Sequence, residues 1–186
     1  MPTMAGTLRE PLDATPFAGP ASVDPEADVL RLFGELGTPL YRFCRMTLGG
    51  ADDAEDVVQD TLLKLLQHLR AGGDRANLKS WLFTVAANGC RDRLRTRRRW
   101  LPWRKELDHR TDETPDEPLD RRMASAAARE LAPRDLLLLS LRAQGLSYRD
   151  IGIAAGIQER SVGRLLARAV DRWKQRLDKA QHSKNV

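Results

Sequence analysis

Residues 133–177 read PRDLLLLSLRAQGLSYRDIGIAAGIQERSVGRLLARAVDRWKQRL. Pro133 suits the first turn of a helix that runs to Ala143. Gln144-Gly145-Leu146 is a turn, and Ser147 with Asp150 three residues on forms a capping box for a short helix to Ala155. Gly156-Ile157 turns the chain again, and a last helix runs from about Gln158 to Leu177. That order of elements is helix-turn-helix geometry. In the last helix Val162, Leu165, Leu166, Ala169 and Trp173 can pack inward, while Arg160, Ser161, Gly163, Arg164, Ala167 and Arg168 can face outward. Arginine's planar fork can bind guanine bidentately or clamp phosphates. An ordinary helical hairpin with a solvated basic face would show the same pattern.

Outward from that stretch, apolar residues recur at helical spacing. From Ala27 they are Leu30, Phe33, Leu36, Leu40, Phe43, Cys44, Thr47 and Leu48, with Pro39 as a break or kink and Gly49-Gly50 as the end. Asp52 and Asp53 open a second helix with acids at its positive end, and its stripe is Ala54, Val57, Val58, Leu62, Leu65, Leu66 and Leu69. Residues 70–77 form a loop. A third helix runs from about Lys79 to Arg98, with Trp81, Leu82, Val85, Ala86, Cys90 and Leu94 inward. Helical signal returns at about Met123–Leu131. No strand-like alternation or internal repeat occurs. The fold class is all-α: two small helical domains, 25–103 and 122–180, joined by a flexible acidic linker over 104–121. Residues 1–24 and 181–186 read as tails, the first disordered.

The chain has 186 residues, 41% hydrophobic and 31% charged. No run approaches the ~18 apolar residues of a membrane-spanning helix. The N-terminus has neither the basic n-region nor the apolar h-region of a secretory signal. No membrane insertion and a cytoplasmic location are therefore expected. Cys44 and Cys90 lie outside any CxxC pair and suit a reducing compartment. A zinc site from both with one histidine is conceivable, but His68, His109 and His182 are scattered, and two small buried thiols are the simpler reading. No nucleotide-binding glycine loop, HExxH or GxSxG is present. The chain reads as a binding subunit with no cofactor, not as an enzyme.

Net charge is +5, but its distribution is lopsided. Residues 91–105 carry a net +7, residues 106–120 a net −6 and residues 158–179 a net +4. Two polyanion-binding surfaces flank a segment that avoids polyanions. The third helix adds Trp81, Phe83 and Asn88 to Arg91, Arg93, Arg95, Arg97, Arg98 and Arg99. Basic side chains can track a phosphate backbone while rings and an amide hold an unstacked base. Core packing of Trp81 and a solvated helix end are the plainer alternatives, although the helix dipole accounts for one or two arginines and not six. In the second helix, Asp56, Gln59 and Asp60 share an exposed acidic face that would repel nucleic acid and suit a basic protein partner, or simply cap and solvate the helix start.

Together these segments resemble bacterial RNA polymerase sigma factors of the sigma-70 family, and among them the extracytoplasmic-function (ECF) type. The resemblance covers roughly residues 27–178: DAEDVVQDTLLKLL (53–66) is similar to the family's second helix, LKSWLFTVAANGCRDRLRTRRR (78–99) to its promoter-opening helix, and LAPRDLLLLSLRAQGLSYRDIGIAAGIQERSVGRLLARA (131–169) to its final helix-turn-helix. The resemblance implies two domains, sigma region 2 and sigma region 4. It implies core RNA polymerase as partner, through Asp56, Gln59 and Asp60 on the clamp coiled coil of the largest subunit and through the flap region. It implies promoter DNA: loop 70–77 and Asn88 would receive a flipped base of the −10 element, Arg91, Arg95, Arg98 and Arg99 would hold that strand, and Arg160, Ser161, Gly163, Arg164 and Arg168 would read the −35 element. The acidic linker would thread the basic RNA-exit path, and an anti-sigma protein is a further implied partner. One departure stands out: where the family often has a basic residue followed by Ser-Arg-Leu after the recognition-helix valine, Val162 is followed by Gly163-Arg164-Leu165. A helix-interior glycine costs ~1 kcal/mol.

Two other readings compete. A stand-alone helix-turn-helix regulator, with 27–103 as sensor or dimerisation domain, would bind duplex DNA tightly without polymerase. A helical adaptor whose basic faces meet acidic proteins would show no salt-steep DNA affinity. A regulator needs none of the acidic second helix, the basic third helix and the acidic linker, whose combination favours the sigma reading.

Overall fold

The computed structural model describes residues 24–100 and 119–182, and every regular element among them is an α-helix. In chain order these are α1 (Pro25–Leu48), α2 (Ala51–Arg70), α3 (Leu78–Trp100), α4 (Leu119–Arg129), α5 (Pro133–Ala143), α6 (Tyr148–Ala155) and α7 (Glu159–His182). The tail over 1–23, the acidic stretch over 101–118 and residues 183–186 lie outside the described residues. The largest boundary differences from the sequence reading are at α4, which begins at Leu119, inside the stretch read as linker, and at α7, which continues past Leu177 to His182.

α1 begins at Pro25 because Asp24 caps it, its carboxylate accepting the Glu26 N–H at 3.0 Å. The helix does not break at Pro39. Proline removes one ladder bond, but burial of Leu32, Leu36, Leu40 and Phe43 on either side keeps both halves in one continuous helix. The first turns of α1 also differ from expectation. Leu30 and Phe33 are 72% and 49% exposed, and Asp28, Leu32 and Leu36 take the inward face instead. The inward aspartate is the reason: Asp28 is 2% exposed and receives Arg31 at 3.4 Å and the loop residue Arg75. A charged pair holds the place that an apolar stripe would have claimed.

α1, α2 and α3 pack as one group, and α4, α5 and α7 as another with α6. The two groups touch. α6 lies on α3, and α5 lies on α1. One continuous core results, in which Phe43, Phe83, Ala87 and Cys90 meet Leu138, Leu141, Ile151 and Val162. Leu32, Leu65, Leu69 and Leu82 make a smaller cluster at the far end of α1–α3.

Candidate nucleic-acid interface

The helix-turn-helix is built by its caps. Ser147 Oγ accepts the Asp150 N–H at 3.1 Å and donates to Asp150 Oδ2 at 2.7 Å. α6 ends at Gly156, whose φ of 67° is left-handed, and the Ile157 N–H reaches back to the Gly152 carbonyl at 2.9 Å. Gly152 is required by that turn, since a Cβ there would sit 2.9 Å from the Ile157 carbonyl oxygen. The inward and outward faces of α7 fall as its sequence indicates. Val162, Leu166 and Ala169 are buried, and Leu165 and Trp173 are half-buried; Arg160, Arg164, Ala167 and Arg168 are exposed. Trp173 Nε1 donates to the Ala124 carbonyl at 3.0 Å and so ties α4 to α7. Arg172 clamps the buried Asp135 through Nε and Nη2 at 2.7 and 2.9 Å, and that contact raises the arginine further above its ordinary range. Ser161 and Gly163 are half-buried rather than fully outward. The Tyr148 ring lies beside Gly163, 3.4 Å from where its Cβ would lie, which is an ordinary contact distance. The Arg142 guanidinium covers that ring at 5.4 Å.

α3 divides its residues between three neighbours. Phe83 does not present a ring to a ligand: it is fully buried and meets Phe43 edge-on at 5.5 Å, because α1 crosses that side of α3. Trp81 is half-buried and stacks on His68 at 4.8 Å. His68 in turn bonds the Asp74 carbonyl at 2.9 Å, which fixes the 70–77 loop. Arg93 donates to Asp53 and Asp56, both at 2.9 Å, and Arg97 bonds Asp53 and, at 2.9 Å, the Leu48 carbonyl. These two arginines clamp α3 to α2 and are structural. Asn88 and Arg91 are both half-buried and bond to each other. Arg95 points outward with its side chain 82% exposed, near Asp92 at 3.7 Å. The side chains of Arg98 and Arg99 lie outside the described residues. The Arg93 and Arg97 positions were legible in principle, since 86, 90, 93 and 97 follow one helical face with the buried Ala86 and Cys90.

On α2, Asp56, Gln59 and Asp60 are exposed together. Leu63, three residues beyond Asp60, is 59% exposed and adds an apolar surface to that side which the sequence reading passed over. Cys44 and Cys90 are fully buried and free. The Cys44 sulfur beside it, and burial, push the Cys90 thiol far up, which opposes the thiolate that zinc needs. Among the described residues no third ligand gathers with them. No helix among the described residues is long and apolar enough to cross a membrane.

Comparison with known proteins fixes the family. Residues 32–100 match sigma-70 region 2. The ECF RNA polymerase sigma factor SigL of Mycobacterium tuberculosis is 35% identical over 158 residues, 78% of this chain and 86% of the relative. The ECF RNA polymerase sigma factor SigF of Caulobacter vibrioides is 34% identical over 146 residues, 74% and 78% of the two chains. This chain is an ECF sigma factor. The fold of the sigma factor RpoE from Bartonella quintana, solved with the anti-sigma factor NepR, superposes with a TM-score of 0.66 at 26% identity over 81% of this chain and 97% of that one. CnrH, solved with the cytosolic domain of CnrY, shares the fold with a TM-score of 0.58. This ECF sigma factor directs transcription initiation, and the stand-alone regulator is not favoured. The region-2 match runs from α1 to the end of α3, so the acidic face of α2 and the arginines of α3 fall within it.

Proposed function

We propose that α1–α3 (within 25–103) form the polymerase-docking and −10-opening domain and that α4–α7, which extend the expected 122–180 to 119–182, form the −35-reading domain. The chain carries no chemistry of its own and needs no cofactor. Its work is binding energy: duplex contacts at one element and capture of unpaired bases at the other offset an unstacking cost of a few kcal/mol per step. Asp56, Gln59 and Asp60 meet the clamp coiled coil of core RNA polymerase, and the second domain meets the flap region. Asn88, Arg91, Arg95, Arg98 and Arg99 hold the opened −10 strand, with loop 70–77 as the base-receiving wall. Arg160, Ser161, Gly163, Arg164 and Arg168 form the −35 surface. The acidic stretch between α3 and α4 joins the two, and an anti-sigma protein is a partner, as RpoE has NepR.

The observation that carries this reading is one acidic face set apart from the basic ones. Asp52, Glu55, Asp56 and Asp60 are exposed on the first half of α2 with no exposed base among them, while exposed Arg95 lies on α3 and the exposed Arg160, Arg164 and Arg168 lie along α7. Run-off transcription with core polymerase on a genomic fragment library tests it: the purified chain should start transcription at defined promoters. Asp56→Ala with Gln59→Ala should weaken core binding about tenfold or more, in the range of an interface hot spot. Normal core binding by that variant would make the docking assignment wrong.

A further inference from the structure

The 70–77 loop rests on one side chain. His68, in the last turn of α2, stacks on Trp81, in the first turn of α3, with the ring planes 27° from parallel. The two rings bridge the helix ends that the loop connects. His68 Nε2 lies 2.9 Å from the Asp74 carbonyl. A carbonyl only accepts, so Nε2 carries the proton and donates. Gly73 lies directly on the imidazole: a Cβ there would collide with Cε1, Nδ1 and Nε2 of His68. The Gly73 N–H in turn donates to the His68 carbonyl at 2.9 Å. Gly73 is therefore glycine because of the ring, whereas Gly72 is glycine because of its left-handed φ of 76°. Further on, Asp74 Oδ1 accepts the Ala76 N–H at 2.9 Å, and Arg75 bonds the buried Asp28. Trp81 and Asn88, seven residues apart, fall on one side of α3, about 10 Å from each other along its axis.

We propose that His68 is a positioning residue for base selection at the −10 element: braced on Trp81, it sets where the backbone of residues 73–74 stands relative to α3, and so to Asn88. The proposal rests on the reading of loop 70–77 and Asn88 as the base-receiving wall. The composition of the loop makes its backbone the part that matters. Ala71, Gly72, Asp74 and Ala76 are its exposed residues, and three of the four have a methyl group or nothing to offer a base. What such a loop presents is its contour and its peptide groups, and both follow from how its backbone is held. A wall fixed before the base arrives rejects a wrong base, whereas a loose one shifts to accommodate it. His68 supplies that fixity from below, with a ring under Gly73 and a bond to the next residue, and it touches no base itself.

The test measures base preference rather than activity. The full chain is assembled with core polymerase, and run-off transcripts are sequenced from promoters randomised across the −10 element and, separately, across the −35 element. His68→Ala should lower the preference at one −10 position about fivefold, the equivalent of one hydrogen bond, with core binding and −35 preference as in wild type. Gly73→Ala should do the same, because its methyl group pushes the ring aside. The chain with both changes should lose no more than either single variant, since without the ring the methyl group has room. His68→Gln, which keeps an N–H at similar reach, should recover part of the preference. A loss spread over both elements, or weaker core binding, makes His68 merely structural and overturns the proposal. Additive losses in the double variant, or no recovery with glutamine, overturn it as well. Gly72→Ala disturbs the loop backbone without touching His68 and so tests the underlying reading. If it shifts the −10 preference and His68→Ala does not, the proposal falls and the loop remains the base-receiving wall. If neither shifts it, the loop reading itself falls. Should His68→Ala fail to fold, Gly73→Ala and His68→Gln decide by the same comparisons.

Discussion

Asp28 shows what a single side chain decides. It sits on the inward face of α1 and takes Arg31 from one turn on and Arg75 from the loop that precedes α3. A buried ion pair gives little net stability, but removing one partner leaves a charge uncompensated. Arg75→Ala leaves Asp28 with Arg31 at 3.4 Å and removes one charge-assisted bond, so it should cost about 2 kcal/mol in urea unfolding, and Asp28→Ala with Arg75→Ala together should cost less than the two singles summed. Additive costs would mean the pair does not act as one unit. Glu26 nearby behaves differently, because it is exposed. Arg70 holds its carboxyl below the ordinary range, so its small contribution is present at neutral pH and lost as pH falls through the lowered value. None of this was legible in the sequence. An aspartate in a helix's first turn reads as a dipole partner, and only the fold brings in a loop residue 47 positions away.

At the scale of the helix, α3 is one element with arginines of two kinds. Arg93 and Arg97 lie on the α2 side and bond its acids, whereas Arg95 faces outward. Removing each should fail in a different measurement. Arg95→Ala should leave stability unchanged and reduce the salt slope of DNA binding by about one. Arg93→Ala should cost about 1 kcal/mol of stability with little change in that slope. The reverse pattern would exchange the two roles. The same helix shows where sequence reading succeeds and fails. The stripes of α2 and α7 are legible because each helix buries one face against neighbours close in the chain. Phe83 is not, because whether an aromatic on α3 meets solvent or Phe43 depends on how α1 crosses it. Pro39 is likewise read locally as a break, yet burial on both sides outweighs one lost bond.

Across the whole molecule, the sequence reads as two modules and the structure gives them one core. Leu137, Leu138, Leu141 and Ile151 of the second group are buried in the same cluster as Leu40, Phe43 and Cys90 of the first. Ser140 Oγ also reaches Met46 Sδ at 3.5 Å across the junction. If that junction is energetically part of the fold, the chain unfolds as one unit, as domains of this size with a shared core do. Modules joined only by their connecting stretch would instead unfold at two midpoints. Trp81 and Trp173 report on the two groups separately. With Trp100, Trp103 and either Trp81 or Trp173 changed to Phe, the two single-tryptophan chains should show coincident urea transitions. Leu141→Ala empties a fully buried site in the second group and should cost about 3 kcal/mol. The decisive reading is at the distant probe: the Trp81 transition must shift as far as the Trp173 transition. A shift at Trp173 alone would mean that α6 rests on α3 without stabilising it, and that closure adds nothing to the fold of either group.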